Sequence, residues 1–206
     1  MNDILLSFIL GIVQGLTEFL PISSSAHLLF PTLIFGSTDL GLYFDISVHA
    51  GTLIAVVYYF RNEIFLMSKS FLATSNFNED KNLVLQLIIA TIPIIILGYI
   101  FRDLISQRIF SINDIAISNL IFASILLFAF LNNKGKKTLI NITILGACFV
   151  GLFQCFALIP GTSRSGAAIT AGLLIGLSLK DASKFAFLLA IPTILGALTL
   201  LIFDLN

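Results

Sequence analysis

The chain has 206 residues, of which 58% are hydrophobic and 11% charged, with a formal net charge of zero and a mean hydropathy of +1.05. A soluble globular domain carries roughly 45–50% apolar and about 25% charged residues, so this composition excludes that class. The balanced charge gives no support to a nucleic-acid partner or an acidic tail.

Apolar runs fall at 2–20, 22–35, 44–60, 83–101, 115–131, 139–159, 164–179 and 183–203. Several approach the roughly 20 residues that cross a hydrocarbon core. None reads as a strand, and only helices or closed barrels span lipid. The expectation is an all-α polytopic membrane protein forming one domain over 1–206.

The first run, 2–20, is no removable signal peptide, because it lacks a basic leading segment and polar residues interrupt it. At its end "QGLTEFLPISSSAH", 14–27, places a carboxylate, a histidine and three serines in an oily setting. Gln14 and Glu18 are four apart and share a helix face. Pro21 ends that helix. Ser23, Ser24 and Ser25 can cap a new helix and aim hydroxyls and N–H groups at an anion, with His27 in its first turn. An ionisable residue inside a membrane is costly, and by default marks function. In the next run Asp45 and His49 share a face and could line the same cavity, against the competing reading of an interfacial pair with no role.

The stretch 62–82 reads as the clearest hydrophilic loop. The 61–82 loop carries Arg61, Lys69 and Lys81, and the 132–138 loop carries Lys134, Lys136 and Lys137, against Arg102 and Arg108 in the 102–114 loop. By the positive-inside rule the first two are cytoplasmic. Pro93 and Pro192 lie inside spans as tolerable kinks. Cys148 and Cys155, seven apart on one helix, stand roughly 10 Å apart and read as packing residues too distant for a disulfide.

The stretch "PGTSRSGAA", 160–168, repeats the earlier theme. Gly161 permits a tight turn, Thr162, Ser163 and Ser165 supply hydroxyls, and Arg164 offers a planar charged fork suited to phosphate at a helix start. The runs 22–35 and 164–179 are short for spans, and each follows a Pro and a Ser-rich turn. They read as arms of re-entrant helix-loops. "QGLTEFLPISSS" and "QCFALIPGTSRS" share a Gln, an apolar stretch, a Pro and a hydroxyl-rich turn, with three spans between them. An odd number of crossings makes an inverted-topology repeat with a site near the midplane. The first repeat covers about 1–131 and the second about 139–206, apparently shortened. Together the hairpins bring Glu, His, hydroxyls and Arg to one depth, a set suited to phosphoryl transfer.

These residues carry a resemblance. "QGLTEFLPISSSAHL" and "PGTSRSGAAITAGLLIG" resemble the two signature motifs of the undecaprenyl-diphosphate phosphatase family, also called bacitracin resistance protein A. "FDISVHAGTLIAVVYYFR" and "KFAFLLAIPTILGA" extend the likeness along nearly the whole chain. The family's motifs fall on Gln14 and Glu18, on Ser23, Ser24 and His27, and on Pro160, Gly161, Ser163, Arg164 and Ser165. The resemblance implies a multi-pass enzyme of the bacterial inner membrane, open to the periplasm. It would remove the terminal phosphate of the C55 isoprenoid diphosphate, recycling the carrier for peptidoglycan synthesis and conferring bacitracin resistance. It also implies a divalent cation, Mg2+ or Ca2+, and leaves room for a homodimer among membrane lipids.

The expected mechanism has the cation held by Glu18, with Gln14 as a further candidate ligand. Arg164, Ser163 and Ser165 hold the terminal phosphate, aided by Ser23, Ser25, Gly161 and Thr162. His27 activates either water or a serine, with Ser24 first in line. Two departures stand out: Ala168 replaces a threonine common in the family, the nearest being Thr170, and the chain ends at Asn206, roughly two spans short. A second lipid-phosphatase superfamily is rejected because no histidine follows Arg164. The rival from another class is a lipid-phosphate transporter on the same scaffold.

Overall fold

The computed structural model describes residues 3–72, 79–107, 109 and 111–204. Arg108, which entered the loop-charge comparison, and residues 73–78 lie outside them. The described residues form helices and turns, without a strand. In chain order they are α1 Asp3–Thr17, α2 Ser24–Phe35, α3 Gly41–Tyr59, α4 Arg61–Leu72, α5 Glu79–Ile100, α6 Arg102–Ser106, α7 Ile112–Asn132, α8 Ile144–Gln154, α9 Arg164–Leu174 and α10 Leu179–Asp204. Short 3-10 turns, Leu139–Asn141 and Cys155–Leu158, flank α8. Four helices, α3, α5, α7 and α10, are long and apolar enough to cross a membrane. Many large apolar side chains, such as Phe8, Tyr59, Leu120 and Phe203, face outward, as lipid contact requires.

Two runs fold differently from their sequence reading. The stretch taken as a hydrophilic loop is helical over α4, and α5 starts at Glu79. The physical reason lies at the ends of α4: Glu63 sits in its first turn and Lys69 in its last, complementing the helix dipole, while Met67 is buried. The run 139–159 is not one span. Thr143 starts α8 afresh by accepting a hydrogen bond from the Gly146 N–H at 3.0 Å. At the other end Pro160 forces Ile159 into extended backbone.

The packing centres on α9. Every residue from Ser165 to Leu173 is buried, and the helix lies against α7, α8 and α10. Lipid tails are as apolar as leucine, so helices in a membrane associate through close contact of small residues. The sequence Gly-Ala-Ala at 166–168 and the Ala171–Gly172 pair supply that surface. The C-terminal end of α9 is tied down from the segment that follows α7. Asn133 Nδ2 donates to the carbonyls of Leu173 and Leu177 at 2.8 and 3.0 Å, and Lys137 Nζ donates to Ile175 O at 2.9 Å. Leu173 O also accepts from the Gly176 N–H at 3.0 Å, so the end of α9 is closed both from within and from the neighbouring segment.

Elsewhere α8 crosses α5 at close quarters. Gln154, fully buried, donates to Ala90 O at 2.8 Å. Gly151 stands over the same residue, where a Cβ would lie 2.5 Å from the Ala90 carbonyl oxygen. Gly151→Ala therefore lowers stability by about 1–3 kcal/mol. Gly11→Ala, where nothing lies within 4 Å, is neutral or gains up to about 1 kcal/mol of helix propensity. Thermal unfolding of both variants in detergent checks the contrast.

At the outer side of α10, Lys184 Nζ donates to Glu63 Oε1 at 3.0 Å. This bond, with backbone hydrogen bonding, holds the Glu63 carboxyl below its ordinary value near 4.5. The folded chain then binds that proton less readily than the unfolded one. The pair's contribution is present above about pH 4.5 and fades as pH falls through the lowered value. Both side chains are about a third exposed, so screening keeps it below about 1 kcal/mol. The unfolding temperatures of Lys184→Met and the parent chain should differ at pH 7 and converge near pH 3.

Candidate active site

The two breaks in the chain meet. Glu18 follows α1, its N–H still bonded to Gln14 O at 3.0 Å, and its side chain is 3% exposed. Arg164 opens α9, and its Nη2 donates to Glu18 Oε1. Oε2 of the same carboxylate accepts from Gln14 Nε2 and from Ser24 Oγ, each at 2.7 Å. His49, from α3, brings Nε2 to 3.3 Å from Oε2. Its Nδ1 donates to the Asp45 carbonyl one turn earlier.

A cavity of about 200 Å³ opens beside this cluster. Its polar wall comprises Glu18, Ser23, Ser24, Ser25, His49, Thr162, Ser163 and Arg164, and its apolar wall Ile46, Ile94, Ala157, Ile194 and Ala197, with Thr193 between. The Thr162 hydroxyl is buried there without a partner. Ser163 caps α9 by accepting from the Gly166 N–H at 3.1 Å, so the first N–H groups of that helix start at the cavity.

Local backbone explains how the turns are made. Gly161 has φ of +94°, and a Cβ there would stand 2.3 Å from Ile115 O on α7; only glycine fits. Ser23, the residue before α2, has φ of +58° without being glycine. A left-handed non-glycine residue costs roughly 1–2 kcal/mol, and such strain concentrates at functional sites.

The other residues singled out in the sequence are placed as follows. Ser165 turns away from the cavity: its Oγ lies 3.2 Å from Glu18 O and 3.1 Å from Leu20 O, two carbonyls just past the end of α1. It stitches the two breaks together. Gly161 shapes the turn without lining the cavity. His27 is exposed on α2, its Nδ1 donating to Ser23 O at 2.8 Å, and does not line the cavity. Thr170 does not stand in for the threonine replaced by Ala168, because its hydroxyl donates to Gly166 O at 2.7 Å inside the helix. His49 is the residue that the site-residue reading left out. Its four-residue spacing from Asp45 was the available signal.

The residues do not fit a resident divalent cation. Glu18 is the only carboxylate at the cavity, and four donors already crowd it, a permanently charged guanidinium among them. A carboxylate has about four lone-pair sites. Among the described residues no cluster of three or more His, Cys, Asp or Glu is suited to hold a metal. Mg2+ and Ca2+ need several oxygen ligands.

The family model for bacitracin resistance protein BacA matches residues 7–205. The chain is similar to "Undecaprenyl-diphosphatase" of Alcanivorax borkumensis, 46% identical over 194 residues, which cover 93% of this chain and 73% of that protein. It is similar to "Undecaprenyl-diphosphatase 1" of Pseudoalteromonas translucida, 47% identical over 190 residues, covering 90% and 71%. The "Undecaprenyl-diphosphatase" of Alteromonas mediterranea is 44% identical over 201 residues, covering 96% and 75%.

The strain at Ser23 is testable. Ser23→Gly removes the left-handed penalty against an entropic cost of about 0.5–1 kcal/mol, so the variant is as stable as the parent or up to about 1 kcal/mol more so. Ser23→Val, β-branched at positive φ, loses about 2 kcal/mol or more. Unfolding in detergent measures both.

Proposed function

This chain belongs to the bacitracin resistance protein BacA family, and we propose that it hydrolyses undecaprenyl diphosphate to undecaprenyl phosphate and inorganic phosphate. The observation that carries the reading is the shared carboxylate: Glu18 binds Arg164 through one oxygen and Ser24 Oγ through the other, at the edge of a cavity walled by hydroxyls. Phosphoryl transfer asks mainly for positioning and charge neutralisation, and these groups supply both.

Arg164, the Thr162 and Ser163 hydroxyls and the first N–H groups of α9 form the donor set for the terminal phosphate. Ser24 is the nucleophile. As its Oγ attacks the terminal phosphorus, its proton passes to Glu18, 2.7 Å away. The Oγ–P bond forms and the bridging P–O bond breaks, releasing the lipid monophosphate. Water then attacks the phosphoserine phosphorus and the Oγ–P bond breaks; Glu18 returns its proton to Ser24 Oγ, and the water's hydrogens leave on the inorganic phosphate. His27, outside the cavity, takes no part in this scheme; its hydrogen bond to Ser23 O supports the strained turn. A divalent cation, where the reaction requires one, would supply charge neutralisation beyond that of Arg164.

The same reading extends to topology. The breaks before α2 and α9 are the turns of two re-entrant helix-loops, in repeats of about 1–131 and 139–206 related by inverted topology. In support, Gln14 and Gln154 occupy matching places before each break and both are fully buried. The protein resides in the bacterial inner membrane with the cavity open to the periplasm, and the C55 chain lies along the apolar outer surface. The relatives named above are diphosphatases and lend nothing to the transporter alternative.

Inorganic phosphate released from undecaprenyl diphosphate by the purified chain in detergent is the test. The parent chain should release phosphate. Arg164→Ala and Ser24→Ala should each lose about 10²-fold or more, and a chelator arm reads the cation requirement. Binding without release in the parent chain would favour a carrier.

A further inference from the structure

His49 comes to the site from outside both hairpins. It lies in the third turn of α3, a helix packed against α1 and α10, and its side chain is 25% exposed, toward the cavity. The ring is held from behind, since Nδ1 donates to the carbonyl of Asp45 on the same helix. Ile46, one turn before it, shows what an apolar lining residue on this wall looks like; His49 presents a nitrogen to a carboxylate instead.

The carboxylate it meets is held in an uneven way. Gln14 and Ser24 both bind Oε2, but they belong to the same hairpin as Glu18 and move with it. Among the described residues, two side chains reach the Glu18 carboxylate from other parts of the fold. Arg164 of α9 takes Oε1 and His49 of α3 takes the side of Oε2. The last torsion of a glutamate is broad and only weakly staggered. A carboxylate tied to the rest of the fold at one oxygen only can therefore swing with its own hairpin, carrying its guanidinium partner with it. Gripped at both from separate helices, it cannot.

We propose that His49 is a positioning residue for the reaction: it fixes the plane of the Glu18 carboxylate, and through it the Arg164 fork and the Ser24 hydroxyl. The proposal rests on the phosphatase reading. Misplacing catalytic groups by an ångström costs on the order of 10²-fold in rate, and the loss falls on turnover more than on substrate capture.

The test uses the purified full chain in detergent with His49→Leu and His49→Gln beside the parent. His49→Leu keeps comparable bulk and removes the contact. His49→Gln keeps an N–H within reach of Oε2. The expected result is a kcat lowered about tenfold or more in His49→Leu, with KM changed by less than about threefold, and most of the kcat restored in His49→Gln. Thermal unfolding adds a readout independent of activity. The Tm loss from His49→Leu should shrink by about half or more in a Glu18→Gln background, because residues in contact are not additive. Equal impairment of the Leu and Gln variants, a change in KM alone, or strictly additive Tm losses would each overturn the proposal. Failure of the parent chain to release phosphate would instead sink the phosphatase reading, while the Tm cycle would still decide whether His49 holds Glu18.

Discussion

The pairing of Glu18 with Arg164 joins positions 146 residues apart, and the arrangement of both chain breaks depends on it. Each partner is largely withdrawn from solvent, where an uncompensated charge costs several kcal/mol. Neither can be buried alone, so the first break has to meet the second. Ser165 repeats the dependence at the backbone, placing its hydroxyl against the Glu18 and Leu20 carbonyls just past the end of α1. The polar stretch in the first apolar run is thus satisfied partly within its own hairpin, through Gln14 and Ser24, and partly by the fold's other half, through Arg164 and Ser165.

This mutual dependence explains the composition of α9. A helix packed against α7, α8 and α10 leaves little room for bulk, and its residues from Ser165 to Leu173 are buried and mostly small. Its first residue is nevertheless an arginine, because the helix begins at the cavity. One short element therefore combines an unbroken buried run with a charged end that faces the cavity, and Gly161 makes that possible by letting the preceding turn press against α7.

Much of this was legible in the sequence. Polar residues in apolar runs marked Glu18, Ser23, Ser24 and Arg164, and the length of the apolar runs marked the long helices. Other features were hidden for physical reasons. His27 lies nearer to Glu18 along the chain than His49 does, but a helix start rotates successive side chains by about 100° each, and His27 emerges on the outside. His49 needed knowledge of which face of α3 turns inward, which spacing alone does not reveal. Ser165 reads in the sequence as a phosphate ligand because it offers a hydroxyl beside Arg164 in the turn 160–165; in the structure that hydroxyl lies against the Glu18 and Leu20 carbonyls. The helix α4 was obscured because its amphipathic pattern is mild and its residues are mostly polar or exposed.

The ties at the far end of α9 bear on the site as well. Asn133 and Lys137 clamp the carbonyls of the helix's last turn, while Ser163 and Arg164 fasten its first. Eleven residues of helix span about 16 Å, with no bend or loop to absorb slack. The element behaves as a strut bolted at both ends. Stiffness at the phosphate-facing tip is then partly set by a connecting segment on the opposite side of the molecule, remote from any reacting atom.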